Sequence, residues 1–576
     1  MNKNTYPGSG KSRDNSRVAW EEAPTYGRSS SLYFPFLFFL SLAFLIAFDA
    51  GIAWKAGAAP YDRTHSRNHE NTSGNAAGAL NSYNPQASYK KIEFLNPLDG
   101  SVYPKDMASP FFKWVDQATD AENWLLRISF ETPADPIQIQ CSQNQWIPDT
   151  ELWETVKYNS LDAPVQISAL GYKNHPTPEI VSRGTVRIYT SRDPLGAPIL
   201  FRRIPPSFSY ASKHPEIMEW CLADISSGED PPVIMSRQSL CASCHTASRD
   251  GKIVGMDMDY GGDKGSYFIT GVGENILLKE KDFISWNDFP RDDGLQSSGL
   301  FSRLSPDGLH VVTTANDISF LAKISDPYCS QLFFPIQGHL AFYSKLNRSM
   351  HRLFTGQNRR EIIETDPSWS PDGRYILFSR TLMTRDLYAE LGGNTIFSAA
   401  DADVENLNKQ YPVHFNVYKV AFNEGNGGRA VPLQGASYNG RSNYFARYSP
   451  DGRWIVFTQS STGLALQPDS RLYILPASGG EARRMNCNRD RMNSWHTWSP
   501  NSRWLAFVSK ENMPYTELYL THIDENGNDS IPVLVSRFNK PGYAINVPEF
   551  VNIEAGGIHS ISLQSGLHSS EPAINP

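Results

Sequence analysis

From Lys91 onward, apolar and polar residues alternate in short runs broken by turn residues. Ile92-Glu93-Phe94-Leu95, Phe111-Phe112-Lys113-Trp114, Trp124-Leu125-Leu126-Arg127-Ile128-Ser129-Phe130, Val165-Gln166-Ile167 and Gly184-Thr185-Val186-Arg187-Ile188-Tyr189 read as strands. About seven such strands over this stretch, with a tryptophan on an early one, predict an immunoglobulin- or fibronectin-like β-sandwich over 89–205. Further on, one pattern recurs. Leu304-Ser305-Pro306-Asp307-Gly308, Trp369-Ser370-Pro371-Asp372-Gly373, Tyr448-Ser449-Pro450-Asp451-Gly452 and Trp498-Ser499-Pro500-Asn501-Ser502 each read as strand, tight turn, strand. Ala247-Ser248-Arg249-Asp250-Gly251 overlays on them with Arg in place of Pro. The turn positions Asp250, Asp307, Asp372, Asp451 and Asn501 step by 57, 65, 79 and 50 residues. Such steps predict an all-β propeller of five or six blades over 206–560, with loop insertions and a tail at 561–576. Residues 206–240, or the chain after Val547, supply the closing strand.

Ahead of these domains the texture differs. Residues 1–31 are polar and predict a cytoplasmic segment, and Leu32–Phe48 is an uncharged run of 17 residues. With its continuation to Trp54, the run predicts a transmembrane signal anchor over 32–54, or a signal peptide cut near Ala56-Gly57-Ala58. The basic residues in front place the bulk outside the cytoplasm, on the periplasmic side of a bacterial inner membrane. Residues 55–88, rich in Ala, Gly, Asn and Ser, read as a flexible linker.

Composition narrows the partners. The net charge is -7 with no basic cluster, which argues against nucleic acid. Export permits disulfides among Cys141, Cys221, Cys329 and Cys487, but their scattering leaves pairing open, and buried free thiols are expected for some. Asp257, Asp259 and Asp263 form an acidic cluster without a calcium-loop spacing.

Candidate chemistry concentrates in Cys241-Ala242-Ser243-Cys244-His245. This is the spacing at which two thiols join the vinyl groups of a haem and the next histidine meets its iron. The expected cofactor is one covalent haem c held by Cys241, Cys244 and His245, with His245 as proximal ligand. Met258 or Met256 is the distal candidate. Met256 falls in the slot that Phe378, Phe457 and Phe507 fill in other repeats, which favours a core role for it. Met235, His214, His310, His339 and His496 are further distal candidates. A redox dithiol and a zinc site are the competing readings of the two cysteines.

The repeats resemble the TolB-type, WD-like propeller repeats of bacterial exported proteins. Within that group the chain is similar to haem-bearing members. The residues that carry the likeness are the Cys-x-x-Cys-His-x-x-Ser-x-Asp-Gly segment, Gly255-Met256-Asp257-Met258-Asp259, Asn493-Ser494-Trp495-His496-Thr497-Trp498-Ser499-Pro500 and Asn546-Val547-Pro548-Glu549-Phe550-Val551-Asn552. The resemblance spans roughly residues 90–555 and implies haem binding, export and a redox or assembly role. The resulting expectation is a membrane-tethered monohaem cytochrome-like propeller that passes electrons to a docked protein partner. The alternatives are a binding or assembly scaffold with a structural or sensory haem, and a peroxidase-like or carbohydrate-active enzyme.

Overall fold

The computed structural model describes residues 74–564 apart from 132–134, 175–176, 207, 212, 239–241, 325, 330–331, 358, 394–395 and 399–402. The expected membrane segment at 32–54 and Cys241 therefore lie outside the described residues. Among the described residues no helix is long and apolar enough to cross a membrane.

Six units of four antiparallel strands make the propeller, and the third also carries Ile396–Ser398 as a fifth strand in parallel. Blade one combines the C-terminal strand Ala544–Phe550 with Ile199–Ile204, Glu219–Ala223 and Val233–Ser236, so the two ends of the domain close the ring within one sheet. Both candidate closing segments thus contribute. Ile199–Ile204, assigned to the first domain from sequence, runs here as the second strand of a blade. Blade two holds Ala242–Ala247, Ile253–Met258, Ser266–Gly271 and Phe283–Ser285. The inner strands of blades three to six are Leu300–Leu304, Ile362–Trp369, Ser442–Tyr448 and Asn493–Trp498.

The recurring turn explains why these segments fold alike. In blade two the Ser248 hydroxyl donates to Asp250 Oδ1 (2.7 Å), while the Lys252 and Ile253 amides donate to Asp250 Oδ1 (3.1 Å) and Ser248 Oγ (3.0 Å). The same serine-to-acid bond closes the turns at Ser305, Ser370 and Ser449, and Ser499 makes it to Asn501. Local side-chain bonds of this kind satisfy turn amides without water.

A second repeated device is absent from any motif. The inner strand of every blade carries one extra residue, as the register slips at Ala242/His245, Leu300/Arg303, Thr365/Ser368, Tyr444/Arg447, Ser494/Thr497 and Asn546/Glu549. Phe301, Asp366, Phe445, Trp495 and Val547 take left-handed backbone there, with φ of 61, 45, 55, 44 and 50°. Bulges re-aim the side chains that follow them, here toward the axis.

Upstream, residues 90–191 form an eight-stranded sheet path with a helix at Thr150–Asn159 capped by the Asp149 carboxylate. Its core, built on Trp114, Trp153 and Phe112, is continuous with Trp504, Leu518 and Phe538 of the propeller. Asp193 accepts from His522 Nε2 (2.7 Å), and the Ser101 hydroxyl donates to the Pro532 carbonyl (3.1 Å). The sheet is thereby fixed to blade six.

Two boundaries shift from the sequence reading. The expected linker contains a helix, Gly74–Asn81, whose Ala76 and Ala79 pack on Leu125, Leu170 and Tyr172. The small residues that suggested flexibility serve close packing instead. The expected tail begins with Ser560–Leu563, a strand paired in parallel with Asn275–Leu278.

Candidate functional site

The six bulges aim Thr246, Arg303, Ser368, Arg447, Thr497 and Glu549 at the propeller axis. On the odd blades these positions are charged, and on the even blades they are hydroxyls. Glu549 Oε2 accepts from Arg303 (2.7 Å) and Oε1 lies 3.5 Å from Arg447, so one carboxylate reaches two blades across the axis. The hydroxyls instead join each even blade to the next odd one. Thr246 Oγ1 accepts from the Leu304 amide (3.0 Å), Ser368 Oγ donates to the Ala446 carbonyl (2.6 Å), and Thr497 Oγ1 accepts from the Phe550 amide (3.3 Å).

Above this layer a recess of about 220 Å³ opens between the turns. Its wall carries Trp369, Tyr448, Trp498 and Phe550, and Arg249 stands at its rim. Among the described residues Glu549 is the only acidic one lining it, against three arginines. The sequence reading missed this ring, although a signal was present. Thr246, Arg303, Ser368, Arg447 and Thr497 all sit two residues before the turn serine.

The predicted haem ligands are placed differently. His245 is fully buried and its Nε2 lies 3.0 Å from the Leu200 carbonyl of blade one. His496, in the equivalent position of blade six and without neighbouring cysteines, makes the same contact to the Val456 carbonyl of blade five at 3.0 Å. Burial pushes both imidazoles down to about 4, so both stay neutral. The repeat His-Thr-x-Ser at 245–248 and 496–499 encodes this contact. Each histidine acts as a latch between adjacent blades.

The distal candidates are likewise absorbed. Met256 is the cross-strand partner of His245, and both Met256 and Met258 are buried in the apolar core between blades one and two. Side chains directly opposite one another on a sheet are about 5 Å apart at Cβ, which leaves no room for a porphyrin plane between His245 and Met256. Met258, expected to be freer, is 1% exposed. Met235 lies in the same core, and His214 pairs with Glu216 at the surface. Burial pushes Cys244 up to about 11, and it is 7% exposed. In this arrangement Cys244, His245, Met256 and Met258 do not fit a haem, and Cys241 is outside the described residues.

Two further expectations are resolved similarly. Cys141, Cys221, Cys329 and Cys487 are buried free thiols. Asp263 is spent on its own loop, accepting from the Gly265 amide (2.8 Å), Asn287 and Ser285, and Asp257 is buried beside Ser302 and Arg303. Among the described residues no group of three or more His, Cys, Asp or Glu side chains is placed to hold a metal ion.

No family model matches the chain, and no curated protein matches it. Solved structures with a similar course include the nidogen/laminin complex (10% identity, 62% of this chain and 98% of that one, TM-score 0.35). The periplasmic gluconolactonase of Pseudomonas aeruginosa follows (14%, 57% and 81%, 0.30). A puromycin-hydrolyzing peptidase of Mycobacterium tuberculosis is similar over 64% of this chain but only 44% of its own (10%, 0.31). At these scores the likenesses carry no functional argument, and the architecture rests on the sheet order itself. On that order, the chain is a six-bladed β-propeller closed through its C-terminal strand.

Proposed function

We propose that this protein is a binding propeller that captures an acidic segment of a protein partner at its channel mouth. The observation that carries the reading is the charge of that recess. Arg249, Arg303 and Arg447 face Glu549 alone, in a chain whose net charge is -7. A cationic concavity in an acidic protein concentrates anionic ligands, and low-dielectric walls strengthen the field inside it. Indole and phenol rings beside the guanidinium groups supply the apolar contact that makes such sites selective for peptide over free anions.

Fluorescence anisotropy of a labelled Glu-rich decapeptide tests the reading. The acidic peptide should bind in a salt-dependent manner, and a Lys-rich peptide of equal length should not. Arg249→Glu, at the exposed rim, should weaken binding about tenfold without affecting folding. Equal binding of the two peptides, or no effect of R249E, overturns the reading.

The cytochrome reading is favoured by one observation, the Cys241-x-x-Cys244-His245 spacing. It requires His245 to leave the Leu200 carbonyl and blades one and two to part. A pyridine haemochrome assay on protein matured on the export side separates the two readings. A thioether-linked haem spectrum supports electron transfer by this chain, and its absence removes that reading.

A further inference from the structure

Away from the channel mouth, blade four departs from its neighbours. Its second and third strands, Tyr375–Leu382 and Asn416–Ala421, are joined by a long insertion, 383–415, that holds the helices Leu387–Glu390 and Val404–Gln410. Connections of this length are uncommon in a compact domain. The insertion has a core of its own, as Met383, Leu387, Leu407, Tyr411 and Phe415 pack on Phe320, Leu332 and Phe334 of blade three. These packed residues form a fixed wall. Between it and the blade lies a cavity of about 640 Å³, large enough for one or two sugar rings. The strand Tyr375–Leu382 starts near the channel-mouth turn and ends at this cavity, about 25 Å away at the usual strand rise.

The lining has a definite chemistry. Among the described residues it includes Arg359, Arg380, Arg385 (paired with Glu390 at 2.6 Å) and His414 and no Asp or Glu. Arg380 is anchored from behind by the buried Glu364 (2.6 Å), and its guanidinium lies 4.5 Å from the centre of the Tyr418 ring. The Tyr418 hydroxyl in turn hydrogen-bonds that of Tyr438. This relay runs from the core to the rim, where Tyr438 is 71% exposed.

Tyr438 is also strained. Its φ is 54°, and its backbone N–H donates to Asn416 Oδ1 (2.5 Å). Left-handed backbone is unfavourable for a bulky residue, and little burial of this ring repays it. The outcome is an exposed aromatic face fixed at the mouth of a cationic cavity. Arg359 is adjustable, because its side chain is 62% exposed and its one ion pair among the described residues, to the half-exposed Glu361 at 3.6 Å, is worth little. Gln357, Thr381 and Asn416 add neutral hydrogen-bonding groups suited to hydroxyls.

We propose that this cavity binds an acidic sugar, its ring stacked on Tyr438 and its anionic substituent met by Arg359. The shared chemistry is a hydroxyl-bearing ring with a negative charge, carried by a carboxylate or by a sulfate. A single exposed ring with neutral polar groups around it matches the apolar face and hydroxyl edge of a pyranose. The absence of any lining carboxylate selects for the charge.

Calorimetric titration of the full chain tests this, using D-glucuronate, glucose 6-sulfate, glucose and benzoate at tens of millimolar. At least one acidic sugar should bind about tenfold more tightly than glucose and than benzoate. Which of the two binds identifies the anion. Tyr438→Ala should abolish measurable binding, and Arg359→Gln should bring the acidic sugar to within about threefold of glucose. Both side chains are exposed, and an unchanged circular dichroism spectrum establishes that the variants fold. Arg249→Glu, at the channel mouth, should leave sugar binding as it is. The proposal is overturned if neither acidic sugar binds, if glucose or benzoate binds equally well, or if Y438A binds like the parent.

Discussion

Replacing His496 with glutamine offers a quantitative test of the blade latch. The ring is buried, its Nε2 meets the Val456 carbonyl, and burial pushes its pKa from an ordinary 6.5 down to about 4. Between these values the unfolded chain takes up a proton that the folded chain refuses. The stabilisation is complete above pH 6.5 and is lost as the pH falls through the window. Going from pH 7 to pH 5 the loss amounts to about 2 kcal/mol for this one group. Glutamine has no such proton, yet its amide still reaches the carbonyl, so the variant costs about 1–2 kcal/mol at neutral pH. The parent's own pH curve is not diagnostic. Asp366 and Glu517, pushed up to about 7 chiefly by burial, add stability on acidification over the same range. The informative quantity is the gap between parent and variant, read from urea denaturation followed by far-ultraviolet circular dichroism. That gap should close, and can reverse, by about 2 kcal/mol between pH 7 and pH 5. A gap constant to within about 0.5 kcal/mol would show that His496 is not a buried neutral imidazole, and the reasoning would fail.

Other consequences are equally direct. Glu549→Gln leaves Arg303 buried beside a neutral amide and should cost about 3–5 kcal/mol, visible as a lowered midpoint of chemical denaturation. Gly251 has φ of 70°, and a Cβ there would collide with the Asn552 carbonyl of the closing segment. Gly251→Ala should therefore loosen ring closure, and amide exchange in Ala544–Phe550 should accelerate more than in blade four. Burial pushes Cys141 and Cys329 up to about 12, so both should resist aromatic disulfide reagents in native protein at pH 8 and react promptly in denaturant.

Much of the architecture was legible in the chain. Four Ser-x-Asp-Gly turns and the related Ser499-Pro500-Asn501-Ser502 marked five blades, and the long step from Asp372 to Asp451 announced the insertion that walls the blade-four cavity. Blade one was harder to see, because its strands lie at opposite ends of the domain and it lacks the serine turn. The bulges were invisible, since the aromatic Phe301, Phe445 and Trp495 share no residue type with Asp366 and Val547. Their conformation is imposed by packing around the axis. At the site the two signals diverge for a physical reason. Cys-x-x-Cys-His drew attention to His245 as an iron ligand, while the repeat register, which pairs it with His496, pointed to an interblade contact. The channel ring was readable two residues before each turn serine, but only once bulges were known to aim those positions inward.

The most direct test of the central claim is to locate the bound partner segment. A Glu-rich peptide carrying a benzophenone can be cross-linked to the full chain and the adducts mapped by mass spectrometry. Cross-links should fall on the turns around Arg249, Pro371, Pro450 and Pro500 that rim the channel mouth. Adducts confined to the blade-four cavity, or scattered over the outer blade faces, would contradict capture at the axis.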